Sequence, residues 1–288
     1  MVADEDWDKG LSKEDGLWIA NKLISTNNID FLNIIRGHID TDASLTKVIP
    51  TQGMPSSPHL DFASEIKTKT KFPTFHASKI NDVATARYAV REGKLDMVGM
   101  TRSHIADPHI VKKIIYGMED NIRPCVGATY CLDRIYEGNE ALCIHNPATG
   151  RERFMPHEIS IKAKHKKNII IVGAGPSGLE AAKISSERGH RVVVFEASNT
   201  PGGQLNLITR SKRRRDMVGI IDWRIKACKK NNVKFYFDTF ATKEIILNEN
   251  PDVVIIATGG LPNKDILEEG NELSSSAWDI ISGIVNIE

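Results

Sequence analysis

The chain has 288 residues, 41% hydrophobic and 26% charged, an ordinary globular composition with apolar material for about two domains. Its 38 Lys and Arg balance 37 Asp and Glu, and a net charge of +1 gives no electrostatic case for nucleic acid or a membrane surface. No apolar run approaches the ~20 residues of a bilayer span, and the acidic start "MVADEDWDKG" is unlike a signal peptide. Four clustered cysteines do not make a disulfide scaffold, so a reducing cytoplasm is the expected compartment.

To about residue 120 the pattern alternates helix and strand. A loop leads to Ser12, which caps a helix carrying Leu17, Ala20, Leu23 and Ile24. "DFLNII" (30–35) reads as a buried strand ending in the polar turn "RGHIDTD". A helix from Leu60 to about Lys69 follows, then strand "PTFHA" (73–77), a helix "VATARYAVREG" capped by Asn81 or Asp82, and strand "LDMVG" (95–99). Asp107 is expected to cap a further helix with Pro108 in its first turn. Strands alternating with helices imply a parallel α/β sheet, and three such units leave its edges open.

"RPCVGATYCLDRIYEGNEALCIHNPATGRE" (123–152) holds three of the four cysteines, Cys125, Cys131 and Cys143. Such a cluster in a reducing compartment points to metal or redox chemistry. The fourth, Cys228, falls at helical spacing with Met217, Ile220, Ile221 and Ile225, so it reads as core. Residues 153–167 form a linker whose "KAKHKK" is a solvated run, as is "KRRR" (212–215) at the head of a helix running to about Lys230.

From Asn168 the pattern changes. "NIIIVGAGPSGLEAA" is a strand, a turn with Gly173, Gly175 and Gly178 in G-x-G-x-x-G spacing, and a helix. The first glycine permits the turn, the second lets backbone approach a pyrophosphate, and the third lets helix pack on strand. The helix N-terminus then offers free N–H groups to the phosphates. A second strand "RVVVFE" ends in Glu196, 18 positions after Gly178, where a carboxylate accepts from a ribose 2′-OH and disfavours a 2′-phosphate.

Two further stretches are "PGGQL" (201–205), with Gly203 and Gln204, and "DVVIIATGGLP" (252–262), with Thr258 and Gly259. With the glycine turn they resemble the FAD- or ADP-binding half of flavoproteins with two dinucleotide domains, and the choice between FAD and ADP stays open. The order of all three regions resembles the large NADH:flavin oxidoreductases related to old yellow enzyme, among them trimethylamine dehydrogenase, dimethylamine dehydrogenase and 2,4-dienoyl-CoA reductase.

The resemblance implies the C-terminal part of a TIM (β/α)8 barrel (1–120), an iron–sulfur cysteine segment and linker (121–167), and a Rossmann-like domain (168–288). It implies FMN, an iron–sulfur cluster and FAD or ADP as cofactors. Gly99 and Arg102 match the family's glycine–arginine pair near the FMN phosphate, and backbone at Ala77, Ser78 and Lys79 is expected to line the same phosphate, after strands seven and eight. In the family C-x-x-C is followed by two further cysteines. Here Cys125, Cys131 and Cys143 match the first, third and fourth, and Ala128 stands where the second belongs. His145 or Asp133 as the fourth ligand, a three-iron cluster, an iron open to water, another metal such as zinc, and relic cysteines all remain open.

The family's catalytic pair falls on barrel strands outside this sequence, which leaves His38 and His76 as candidates for substrate or flavin contact, with Asp40 beside the former. Both ends read as interrupted, so the expectation is an internal piece of a longer protein. The expected activity of the whole is oxidative demethylation of a small N-methylated amine, with an electron-transfer flavoprotein or NAD(H) as redox partner and a homo-oligomeric state. The alternatives are an enoate or 2,4-dienoyl-CoA reductase and a non-catalytic nucleotide-binding remnant.

Overall fold

The computed structural model describes residues 1–263 and 268–286. The chain divides into two compact units, Met1–His157 and Glu158–Glu288. The first alternates β1 (Val2–Asp4), α1 (Lys13–Ser25), β2 (Leu32–Arg36), α2 (Asp42–Val48), α3 (Leu60–Thr70), β3 (Thr74–His76), α4 (Val83–Arg91), β4 (Met97–Val98), α5 (Thr101–Ala106), α6 (Ile110–Ile115) and α7 (Tyr130–Tyr136). Its sheet is parallel, in the order β1-β2-β3-β4. The start of the chain, expected as a loop, is therefore a strand, with Val2 opposite Ile35. Three residues are too few to show a period, and it is pairing that makes them a strand.

Leu32 and Ile34 pair with Thr74 and His76, and all four are buried on one face. Ala20 of α1, Leu60, Ala63 and Ile66 of α3, and Ala86 and Ala89 of α4 complete that core. A fully buried isoleucine such as Ile34 contributes about 1.5–3 kcal/mol. On β2 the alternate residues Asn33 and Ile35 are exposed, as is Met97 on β4.

Ser12 forms a capping box with Asp15 on α1, and Asp82 caps α4 through Thr85 N–H. "RGHIDTD" runs straight into α2, capped by Thr41. Asp107 is not the expected N-cap. It ends α5 and is only 3% exposed, and its carboxylate accepts from Lys113 Nζ at 2.6 Å and Arg123 N–H at 2.8 Å. A buried carboxylate needs such partners more than a helix end needs a cap. This one ties α6 to the start of the cysteine stretch.

The second unit runs β5 (Asn168–Val172), α8 (Pro176–Glu187), β6 (Arg191–Phe195), α9 (Leu205–Ile208), α10 (Gly219–Lys230), β7 (Lys234–Tyr236), α11 (Lys243–Asn248), β8 (Val253–Ile256) and α12 (Ala277–Ser282). Its parallel sheet has the order β7-β6-β5-β8, which puts the glycine turn after the interior strand β5. "KRRR" opens a 3-10 turn, Lys212–Val218, ahead of α10. Cys228 is fully buried, and burial pushes its thiol up to about 12, so it is core as read from its spacing. Ser276 and Asp279 form a capping box on α12 that the sequence reading passed over.

Candidate functional site

In the first unit the ends of β3 and β4 come very close. A Cβ on Gly99 would lie 2.5 Å from Ala77 Cβ, so only glycine lets the two strand ends meet. Gly99 N–H donates to the His76 carbonyl at 2.9 Å. Ala77, Ser78, Gly99 and Arg102 all line one cavity of about 270 Å³, with Pro50, Thr101 and Cys131. The Arg102 guanidinium donates to Pro50 O at 2.8 Å. Lys79, in the left-handed region at φ +49°, donates through Nζ to Thr51 O at 3.0 Å and to Met54 O. Two cations thus hold loop 50–54 against the cavity. Ser78 is 5% exposed, and its Oγ has no hydrogen-bond partner among the described residues. A buried orphan hydroxyl on a wall shared with arginine calls for a polar occupant, and the phosphate end of FMN fits that demand.

The two candidate histidines lie elsewhere. His76 is 2% exposed and on the helix-covered face, with Nδ1 2.8 Å from Ile34 O. Burial lowers its pKa below the usual imidazole value. It does not line the cavity. His38 is half-buried on the loop after β2, edge-on to Trp7 with ring centroids 4.6 Å apart, and Asp40 N–H lies 3.4 Å from its Nδ1.

Cys125, Cys131 and Cys143 line a second cavity with Ala128, His145 and Arg102. Arg102 and Cys131 line both cavities, so the two sites are neighbours. Gly127 at φ +67° and Thr129 at φ +59° fold the backbone tightly before α7. Burial raises the thiol pKa of Cys125 and of Cys131; Cys143 adds to the rise at both and Cys131 adds to it at Cys125, while Arg102 opposes it. His145 is fully buried, its Nδ1 2.9 Å from Pro124 O. Its N–H donates to Cys143 Sγ at 3.4 Å. Asp133 is exposed and outside the cavity.

Among the described residues no three His, Cys, Asp or Glu side chains are placed to hold a single metal ion. Three thiols around one cavity suit a cluster, where each iron takes its own ligand, better than a lone ion. The free volume is about 20 Å³, room for roughly one water, so that fit rests on the donor set and not on space.

In the second unit the three glycines differ. A Cβ on Gly173, at φ +102°, would lie 2.4 Å from Ala257 O, and one on Gly178 1.9 Å from Gly173 O. A Cβ on Gly175 would meet nothing within 4 Å. The backbone at Gly175 is therefore open, as an approaching pyrophosphate requires. Gly203, at φ +54°, stands beside it, 3.2 Å from Gly175 Cα to its built Cβ. Gln204 Nε2 donates to Gly260 O at 3.2 Å, which joins "PGGQL" to the turn holding Thr258 and Gly259. Glu196 does more than the sequence indicated. Its Oε2 accepts from Ala174 N–H at 2.6 Å and its Oε1 from Ser198 N–H at 2.9 Å, so it braces the glycine turn itself.

The sequence reading missed Lys79's side chain and loop 50–54. The signal was the "PTQGMP" turn (50–55), which a helix–strand reading passed over as connector. No helix among the described residues is long and apolar enough to cross a membrane.

Comparison with known proteins agrees with both halves. Residues 4–121 match the NADH:flavin oxidoreductase / NADH oxidase family, and residues 171–227 the NAD(P)-binding Rossmann-like domain. A probable N-methylproline demethylase of Rhizobium meliloti (strain 1021) is 62% identical over 98% of this chain and 41% of its own length. A multifunctional alkene reductase/demethylase of Caballeronia cordobensis is 48% identical over 95% of this chain and 40% of its own. Among solved structures, 2-naphthoyl-CoA reductase with 2-naphthoyl-CoA matches 100% of this chain and 43% of its own, at 29% identity and TM-score 0.91. The chain thus spans about two fifths of the relatives it matches. It is an oxidoreductase relative whose first unit carries the NADH:flavin oxidoreductase / NADH oxidase family signature and whose second carries a Rossmann-like nucleotide domain.

Proposed function

We propose that the protein to which this chain belongs is a flavin-dependent oxidoreductase that removes the N-methyl group of a small N-methylated amino acid, N-methylproline being the first substrate to try. The observation that carries this reading is the cavity uniting Ala77, Ser78, Gly99 and Arg102, set beside three thiols in a chain 62% identical to a probable N-methylproline demethylase. In this reading residues 1–120 are the last strands of an FMN-bearing (β/α)8 barrel, 121–167 a cluster segment and 168–288 an FAD- or ADP-binding domain. The exposed Asn33, Ile35 and Met97 face belongs inside that barrel.

When bound, FMN supplies a two-electron acceptor and an iron–sulfur cluster a one-electron relay. Arg102, Ser78 and the Gly99 backbone would hold the FMN phosphate, and Lys79 and Arg102 would keep loop 50–54 in place beside it. Cys125, Cys131 and Cys143 would supply thiolates to the cluster. Gly173, Gly175, Gly178, Gly203, Gln204, Thr258 and Gly259 would border the dinucleotide, and Glu196 would face its ribose. In the substrate, the N-methyl carbon would lose a hydride to the flavin as two-electron acceptor, water would add to the resulting iminium with loss of a proton, and the C–N bond of the carbinolamine would break to give formaldehyde and the secondary amine. The two electrons released would leave the protein on an electron-transfer flavoprotein or on NAD+.

The test is anaerobic mixing of the full-length protein with N-methylproline. Flavin bleaching with one formaldehyde per turnover supports the reading. The absence of both, with NADH-dependent reduction of an activated alkene instead, moves it to the second reading. The 48% identity to an alkene reductase/demethylase keeps that reading in view.

A further inference from the structure

Three thiols line the cavity, where a four-iron cluster wants four protein ligands. Ala128 is half-buried and opens on the same cavity as Cys125, Cys131 and Cys143, but its methyl group binds no iron. His145 lines that cavity too and is fully buried. Its Nδ1 is 2.9 Å from the carbonyl oxygen of Pro124, which only accepts. Nδ1 therefore carries the hydrogen, and a neutral ring keeps its lone pair on Nε2. An imidazole fixed in this way, with one N–H donated to a backbone carbonyl, is the arrangement that orients a metal-binding histidine. The donation from His145 N–H to Cys143 Sγ at 3.4 Å adds the kind of N–H···S contact that tunes cluster thiolates. Asp133 is exposed and off the cavity, so it does not compete.

On the reading that this segment carries an iron–sulfur cluster, we propose that His145 Nε2 is its fourth protein ligand, giving a three-cysteine, one-histidine site in place of four thiolates. Replacing an anionic thiolate with a neutral imidazole raises a cluster's reduction potential, as histidine ligation does in other iron–sulfur centres.

The experiment uses the full-length protein purified without oxygen. Iron and acid-labile sulfide are counted first, and the reduced cluster is then examined by electron–nuclear double resonance. The expected result is a nitrogen coupling of a directly bound imidazole, lost in His145→Gln. In Ala128→Cys a thiolate takes the histidine's place, so the coupling vanishes and the reduction potential falls. Iron and sulfide present with no nitrogen coupling in the unaltered protein overturn the histidine ligand and leave the cluster reading intact. Absence of iron and sulfide overturns both. The decisive readout is made on the unaltered protein, so a variant that fails to fold does not blunt it.

Discussion

A Cβ placed on Gly178 would lie 1.9 Å from the carbonyl oxygen of Gly173, across the mouth of the turn between β5 and α8. No side chain fits there without moving backbone. Gly178→Ala should therefore destabilise the second unit by about 1–3 kcal/mol, seen as a lower thermal midpoint. Gly175→Ala makes the opposite forecast, since its Cβ meets nothing and its φ of −71° suits alanine. Stability should change by under ~0.5 kcal/mol, while dinucleotide affinity falls at least about tenfold. An unchanged affinity in Gly175→Ala would remove the pyrophosphate from this turn.

Glu196 joins the end of β6 to Ala174 N–H and Ser198 N–H. Glu196→Ala strips both acceptors, and a hydrogen bond to a charged group is worth about 1.5–3 kcal/mol. ADP binding should weaken by roughly tenfold or more, and 2′-phosphorylated ADP should lose its disadvantage as the negative charge goes. The informative quantity is the ratio of the two dissociation constants, measured by calorimetry. An unchanged ratio would mean that Glu196 braces the turn and never faces the ribose.

How much of this was legible follows from where each signal sits. The strand–turn–helix at 168–182 was readable because its three glycines lie within six residues, and so was the alternation that fixes the first sheet. Gly99 and Arg102 were reached through resemblance, while the reason for Gly99, the 2.5 Å approach to Ala77, needs two strands side by side. Asp107 misled because Asp-Pro before an apolar run looks like a cap, and its burial against Lys113 and Arg123 is a tertiary fact. His76 looked available at a strand end. Its register with Ile34 turns it to the helices, and a one-residue shift would have turned it out.

Arg102 borders both cavities, and one of its nitrogens is already given to Pro50 O. Its fork still offers further donors for a phosphate, which lysine does not reproduce. Arg102→Met should cut the FMN retained by the full-length protein several-fold, with Arg102→Lys in between. The FMN-to-protein ratio after gel filtration decides it, with circular dichroism confirming an intact fold. Full FMN occupancy in Arg102→Met would move the phosphate elsewhere.

His76 gives the first unit a pH dependence whose sign can be worked out. Burial is the larger cause of its lowered pKa, and the bond to Ile34 O opposes it. In the unfolded chain the ring titrates near the ordinary imidazole value of about 6.5, above its folded value. Between the two, the unfolded state binds more protons. The contribution to stability is therefore complete above about pH 6.5 and shrinks as pH falls below it, by at most ~1.4 kcal/mol per unit for one proton. His76→Leu keeps similar bulk and cannot titrate. The unaltered chain should lose thermal stability more steeply than this variant between about pH 7.5 and pH 5.5. Parallel curves would mean that the ring takes up its proton without unfolding the site, and that the helix-covered face is wetter than its 2% exposure indicates.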